Sequence, residues 1–188
     1  MPFKFDPAHR LFHKALGGGA ILDLGCYPVS FSRRMAGAAL GRAFAEPLGL
    51  HGSGRLNTVT GADEFAAATV AYPGNITAQL SCSSCTPLEV RARLLGTTGW
   101  IDVPNPFHPG GPDKPAEIFL YRNGVAAPGK IEFAAGQSLY ALEADTVADA
   151  IARGERESPA MSHADTLGNM AALDAWRAAV GMRYDGEG

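Results

Sequence analysis

Residues 64–72 and 76–84 are two strand-length runs joined by Pro73-Gly74-Asn75, and this hairpin constrains the fold more than any other stretch of the chain. Proline presets φ and glycine supplies a position with φ > 0, so the two runs must double back as antiparallel neighbours. A third run, residues 89–95, alternates Val90, Ala92 and Leu94 with Glu89, Arg91 and Arg93, the period of a strand with one buried and one polar face. Gly96-Thr97-Thr98-Gly99 then turns into Trp100-Ile101-Asp102-Val103, extending an antiparallel meander. Residues 43–50 read as a strand before the hairpin, followed by a loop at Gly52-Ser53-Gly54. Residues 104–115 carry five prolines and two adjacent glycines, which predicts an irregular loop. A shorter hairpin is expected across Asn123-Gly124, between residues 118–121 and 130–133.

Helical patterns flank these strands. The first sixteen residues read as an entry loop, and Gly17-Gly18-Gly19 opens an apolar pattern from Ala20 through Met35 that stops near Gly37 and Gly41. Pro28 removes the amide that would bond back to Leu24, so this helix should kink or loosen one turn after Asp23. Leu139, Leu142, Val147, Ala150 and Ile151 mark a later helix ended by Gly154, and Ser162-His163-Ala164-Asp165 has the form of a capping box opening another. The apolar stripe of that last helix is Leu167, Met170, Leu173, Trp176 and Val180. The expected class is α+β: a predominantly antiparallel open sheet with helices on one face, residues 1–188 forming one domain. An uncovered second face favours a homodimer through the sheet.

The 188 residues are 46% apolar and 19% charged, with a formal net charge of −3. The basic residues are scattered, which argues against a nucleic-acid partner. No apolar run reaches the roughly 18 residues needed to cross a bilayer, and the N-terminus lacks a signal-peptide core, so a cytoplasmic, non-membrane protein is expected. The three cysteines read as reduced structural thiols, the Cys82-Ser-Ser-Cys85 spacing having no second pair to make a zinc site. The five histidines show no ligand spacing, and no metal is expected.

Asp23 and Tyr27 carry the candidate chemistry. Four residues apart on a helix, they share a face. A phenol can move a proton to or from an alcohol oxygen, and a neighbouring carboxylate can orient it or a substrate hydroxyl. The preceding glycines, Gly18 and Gly19 among them, admit another backbone or a flat cofactor ring. The plainer reading is a helix start, with Asp23 favouring the helix dipole and Tyr27 half-buried. Arg10 could reach a substrate hydroxyl or cofactor phosphate; His108, in the proline-rich loop, and His163, after a helix cap, could line the pocket. A surface arginine and solvated histidines are the plainer alternatives.

Residues 17–28, Gly-Gly-Gly-Ala-Ile-Leu-Asp-Leu-Gly-Cys-Tyr-Pro, resemble the signature of the Gfo/Idh/MocA oxidoreductases, in which a glycine-opened helix carries an Asp and, four residues on, a His or Tyr. The Tyr-bearing form resembles the branch of dihydrodiol dehydrogenase, glucose-fructose oxidoreductase and xylose dehydrogenase. The resemblance continues through Leu95-Gly96-Thr97-Thr98-Gly99-Trp100-Ile101, Pro106-Phe107, Ser158-Pro159-Ala160-Met161-Ser162 and Asn169-Met170-Ala171-Ala172-Leu173-Asp174.

It implies a two-domain enzyme, with an N-terminal Rossmann domain for NAD or NADP and a C-terminal α+β domain forming the substrate side and usually a dimer interface. Only the second domain is expected here. Gly52-Ser53-Gly54-Arg55-Leu56-Asn57 lacks the third glycine of a dinucleotide fingerprint. The family's lysine, from a Glu-Lys-Pro motif upstream of the Asp and Tyr, has no counterpart; Asp113-Lys114-Pro115 lies downstream and reads as chance. By resemblance, Tyr27 exchanges a proton with a secondary alcohol of a sugar, polyol or cyclic diol, Asp23 orients it, and the upstream lysine activates the phenol by its charge. The isolated chain is expected to bind no cofactor and to be inactive without a nucleotide-binding domain or subunit. The alternative is a non-catalytic dimerisation or ligand-binding module.

Overall fold

The computed structural model describes residues 5–134 and 136–187; residues 1–4 of the expected entry loop, and with them part of the N-terminus read for a signal peptide, lie outside the described residues. The chain divides into two compact units, Met1–Leu88 with Met161–Gly188, and Glu89–Ala160. Among the described residues no helix is long and apolar enough to cross a membrane.

In the first unit, β1 (Gly49–Leu56), β2 (Asp63–Tyr72) and β3 (Ile76–Ser83) form an antiparallel sheet in the order β1-β2-β3. The expected hairpin is present, with Gly74 at φ 74° and Asn75 at φ 58°, and Tyr72 pairs with Ile76 across it. Ala66, Ala68, Val70 and Tyr72 alternate onto the buried face. Against that face lie α1 (Cys26–Ala39) and α3 (His163–Ala179), which place Val29, Ala36, Leu173 and Trp176 in the core. Trp176 is fully buried. The Ser162 hydroxyl accepts from the Asp165 amide at 3.1 Å, the cap expected at the start of α3. Of the expected α3 stripe, Leu173 and Trp176 are buried, but Leu167 and Met170 are exposed.

Gly52-Ser53-Gly54 is not a loop but the middle of β1. A side chain at Gly52 would bring its Cβ to 2.9 Å from Trp176 Cδ1, and one at Gly54 would lie 2.7 Å from the Phe65 carbonyl and 3.1 Å from Val180. The glycines let α3 seat closely on the strand, which is a packing role rather than a turn. The entry segment is also more ordered than expected: it forms two short 3-10 turns, Arg10–Phe12 and Lys14–Leu16, and the first buries Leu11 and Phe12.

Arg33, on α1, is fully buried. Its Nη2 donates to Glu46 Oε1 at 2.6 Å, its Nη1 to the Asp165 carbonyl at 3.0 Å and to the Asp165 carboxylate, and its guanidinium lies 5.0 Å from the Phe44 ring centroid. This cluster ties α1 to the first turn of α3.

The second unit holds β4 (Arg91–Gly96), β5 (Gly99–Pro104), β6 (Ala116–Arg122) and β7 (Gly129–Phe133), antiparallel in that order, and α2 (Leu139–Ala152). On one sheet face Arg91 grips the buried Asp102 with Nε and Nη2 at 2.8 and 2.9 Å, and Trp100 stacks on Tyr121 at 4.5 Å. Leu94, Ile101, Val103 and Leu120 occupy the other face, as their register requires. The α+β class stands, but the meander forms two hydrogen-bonded sheets. The ladder ends after Ser83 because its hydroxyl accepts from the Cys85 and Thr86 amides, diverting the strand into a turn, and Pro87 brings no donor.

Candidate active site

The site is built on backbone pairings around the glycines. Gly17 is left-handed (φ 72°) and closes the second 3-10 turn. Gly18 N–H then donates to the His13 carbonyl at 3.1 Å and Gly19 N–H to the Leu11 carbonyl at 2.8 Å, folding residues 10–13 against the glycine turn. A Cβ on Gly18 would lie 2.5 Å from the Arg10 carbonyl oxygen, and one on Gly19 (φ 139°) 2.2 Å from Asp63 Oδ1. The close approach that these glycines permit is made by the chain itself.

Beyond the turn, residues Ile21–Gly25 form one π-helical turn that runs straight into α1. The expected loosening is therefore real, but it surrounds Asp23 instead of following it. Pro28 cannot donate to Leu24, and a widened turn over Leu24 removes the ring-to-carbonyl conflict that an α-turn would create. Gly25 fits here because a Cβ would meet Trp176 at 3.1 Å and Cys82 Sγ at 3.3 Å.

Asp23 N–H donates to the Gly19 carbonyl at 3.3 Å, and Asp23 Oδ1 accepts from Arg10 Nη1 at 2.8 Å. The Arg10 side chain is 69% exposed and that of Asp23 24%. Tyr27, second residue of α1, is 51% exposed. The structure thus brings Arg10 onto Asp23, with Tyr27 four residues further along the same helical run. Cys26 between them donates Sγ–H to the Asp23 carbonyl at 3.6 Å, and burial pushes its thiol above the usual range. Asn169 of α3 donates to the Cys26 carbonyl at 3.4 Å, fixing this turn from the other side.

His163 is the exposed first residue of α3. His108 lies in the second unit, in the loop after β5, beside a depression of about 430 Å³ lined also by Asn105, Asp113 and Lys114; its carbonyl accepts from Asn105 Nδ2 at 2.6 Å. Among the described residues no cluster of three or more His, Cys, Asp or Glu is arranged to hold a metal. Cys82 is buried, which drives its thiol strongly upward and makes it a packing group.

Sequence reasoning missed Asp63. It is 1% exposed, and its Oδ2 accepts from Ile21 N–H at 2.7 Å, capping the helical run that carries Asp23 and Tyr27. Burial raises its carboxyl against the opposing pull of the Ile21 amide. A single acid at a strand start gives no local signal of a partner 42 residues away. Tyr184, whose hydroxyl donates to the Gly18 carbonyl at 2.9 Å, lies beyond the last helical pattern and was equally silent.

In the first unit an antiparallel sheet packs against two helices, and a glycine-opened helical run carries an acid and an exposed phenol, an arrangement of the α+β class. The chain belongs to the GFO/IDH/MocA C-terminal domain family, whose model matches residues 1–102. It is 31% identical over 173 residues to an uncharacterized oxidoreductase of Rhizobium meliloti, covering 90% of this chain and 48% of the relative. It is 30% identical over 182 residues to the trans-1,2-dihydrobenzene-1,2-diol dehydrogenase of Xenopus tropicalis, covering 93% and 51%. The chain spans about half the length of the curated relatives it matches. Among solved structures, the aldose-aldose oxidoreductase of Caulobacter crescentus, complexed with glycerol, superimposes with a TM-score of 0.77 at 18% identity, over 95% of this chain and 50% of that one. A 3-ketoreductase of Actinomadura kijaniata, in complex with NADP and TDP-benzene, gives 0.77 at 23% identity, over 96% and 51%. At these identities the structural likeness speaks for the fold.

Proposed function

We propose that this chain is the substrate-side domain of an NAD(P)-dependent dehydrogenase acting on a secondary alcohol of a sugar or cyclic diol. The observation that carries the reading is the exposed Tyr27 phenol on the same helical run as an Asp23 held by Arg10. At Gly18 and Gly19 the space a side chain would take is filled by the Arg10 carbonyl and the Asp63 carboxylate. The polar groups of Tyr27 and Asp23 fit the alcohol end of the reaction. Bound NAD(P), held by a nucleotide-binding domain or subunit, would accept the hydride from the alcohol carbon. Tyr27 takes the hydroxyl proton as the carbonyl forms and returns it in the reverse direction. Asp23 orients a neighbouring hydroxyl, and Arg10 fixes the carboxylate that does so.

Joining the chain to the nucleotide-binding half of a dihydrodiol dehydrogenase relative tests this directly. NADP+ reduction with trans-dihydrodiols and with aldoses is the readout, and Tyr27→Phe should lower kcat by about 10²-fold or more. Unchanged turnover in that variant removes Tyr27 from the mechanism. The second reading is a non-catalytic dimerisation or ligand-binding module. Submicromolar NAD(H) or NADP(H) binding by this chain alone, measured by calorimetry, contradicts both the module reading and the assignment of cofactor binding to another domain.

The same proposal includes a homodimer through the outer face of β1-β2-β3. That face turns away from α3 and carries small polar side chains, His51, Ser53, Thr69 and Gln79, around an open depression of about 530 Å³. Light scattering should give about 39 kDa, twice the 19.6 kDa of one chain. Thr69→Arg should reduce this to the monomer mass, and a strictly monomeric wild type rejects the dimer.

A further inference from the structure

The Gly18-Gly19 turn is held from two directions by residues far away in sequence. From the start of β2, the buried Asp63 accepts from Ile21 N–H through Oδ2, while its Oδ1 rests against Gly19 with no hydrogen-bond partner of its own. From the C-terminal segment, the Tyr184 hydroxyl donates to the Gly18 carbonyl at 2.9 Å. Tyr184 is itself fixed. The Arg177 guanidinium lies 4.7 Å from the Tyr184 ring centroid, Arg177 donates twice to Glu187 at 2.9 Å and once to Asp174 at 2.7 Å, and Glu187 accepts from Tyr184 N–H at 2.9 Å. Lys14 adds a 3.2 Å ion pair to Asp185, joining the same segment to the second 3-10 turn.

Both members of the Arg10–Asp23 pair hang from the turn so held. The Leu11 carbonyl, adjacent to Arg10, accepts from Gly19 N–H, and Asp23 N–H donates to the Gly19 carbonyl. A shift of Gly18-Gly19 therefore moves the guanidinium and the carboxylate by different lever arms and separates them. We propose that Asp63 and Tyr184 are positioning residues that set the Arg10–Asp23 pair by clamping the Gly18-Gly19 turn, the C-terminal segment acting as a strap across the base of the site. The inference rests on the reading of Asp23 as part of the reacting group, but its geometry is testable without turnover.

Residue-resolved amide hydrogen exchange on the full chain is the test, in wild type, Tyr184→Phe, Asp63→Asn and Asp63→Ala. Phenylalanine keeps the ring under Arg177 and loses only the hydroxyl. Loss of one such hydrogen bond should speed exchange at Asp23 by about fivefold. The Val70 and Leu173 amides, in the core, should stay within about twofold of wild type. Asp63→Asn retains an oxygen to accept from Ile21 N–H and should keep the Ile21 and Asp23 rates closer to wild type than Asp63→Ala does. An unchanged Asp23 rate in Tyr184→Phe overturns the proposal, and so does an equal acceleration at Val70 and Leu173, which would reduce Tyr184 to general stabilisation. In the joined dehydrogenase, Tyr184→Phe should lower kcat by about tenfold with KM within about threefold, since misplacing a catalytic group costs rate before affinity. If the wild-type joined protein shows no turnover, the dehydrogenase reading fails while the exchange measurements still decide the clamp.

Discussion

Two arginines on the first unit do opposite things with the same chemistry. Arg10 is exposed, its pair with Asp23 is open to solvent on one side, and its energetic contribution to folding is small. Arg33 is sealed, with two carboxylates, a carbonyl and an aromatic ring around its guanidinium. Burial alone would lower its affinity for a proton, but Glu46 and Asp165 outweigh that and hold it charged. Replacing Arg33 with Met should destabilise the chain by about 3 kcal/mol, the lower end for breaking a buried pair, because the carboxylates left behind can reach water. Urea unfolding monitored by Trp fluorescence measures it; a loss under about 1 kcal/mol would show that the cluster is replaceable packing. Gly168 belongs to the same cluster: a Cβ there would fall 2.2 Å from Glu46 Oε1 and 2.3 Å from Arg33 Nη2, so Gly168→Ala should also destabilise. None of this was legible in the sequence, because Arg33, Glu46 and Asp165 meet only through the tertiary fold. The placement of Asp23 and Tyr27 on one helical run was legible, because that run is marked locally by the glycines before it.

At the level of elements, the strands were read correctly where side-chain alternation and turn chemistry agreed, as in the β2-β3 hairpin and in β4 and β5. β1 was misplaced because its glycines mimic a loop, and only the helix seated on them shows otherwise. Asp63 and Tyr184 escaped because long-range hydrogen bonds leave no periodic trace. The close seating makes a sharp prediction. Gly52→Ala puts a methyl group 2.9 Å from the Trp176 indole and should cost about 1–3 kcal/mol by overpacking, while Gly49→Ala on the same strand meets nothing within 4 Å and should change stability by less than about 0.5 kcal/mol. Thermal melts of the two variants, compared with wild type, separate them. Equal midpoints would mean that α3 can slide outward without loss, and would remove the argument for why β1 is glycine-rich.

Across the whole molecule, the strap and the clamp make stability depend on pH in two opposing ways. Arg177 and the Tyr184 amide hold the Glu187 carboxyl down to about 2, against 4.5 for a free glutamate. As pH falls below 4.5 the unfolded chain takes up a proton at this position and the folded chain does not, so this contribution is lost progressively between about 4.5 and 2. Asp63 runs the other way: burial raises its folded value above 3.8, so the folded chain binds that proton more readily. Its contribution is present below 3.8 and is lost as pH rises through the folded value. Asp102, held low by Arg91, adds to the acid-side loss independently of the strap. Glu187→Gln should therefore flatten the fall of the unfolding free energy between pH 4.5 and 2 without abolishing it, and Asp63→Asn should steepen the fall only above pH 3.8, where the opposing contribution acts. Urea unfolding at half-unit steps from pH 2.5 to 7 resolves both slopes. An acid slope identical in Glu187→Gln and wild type would place Glu187 in the same environment folded and unfolded, and the strap could not then be holding Tyr184 against Gly18.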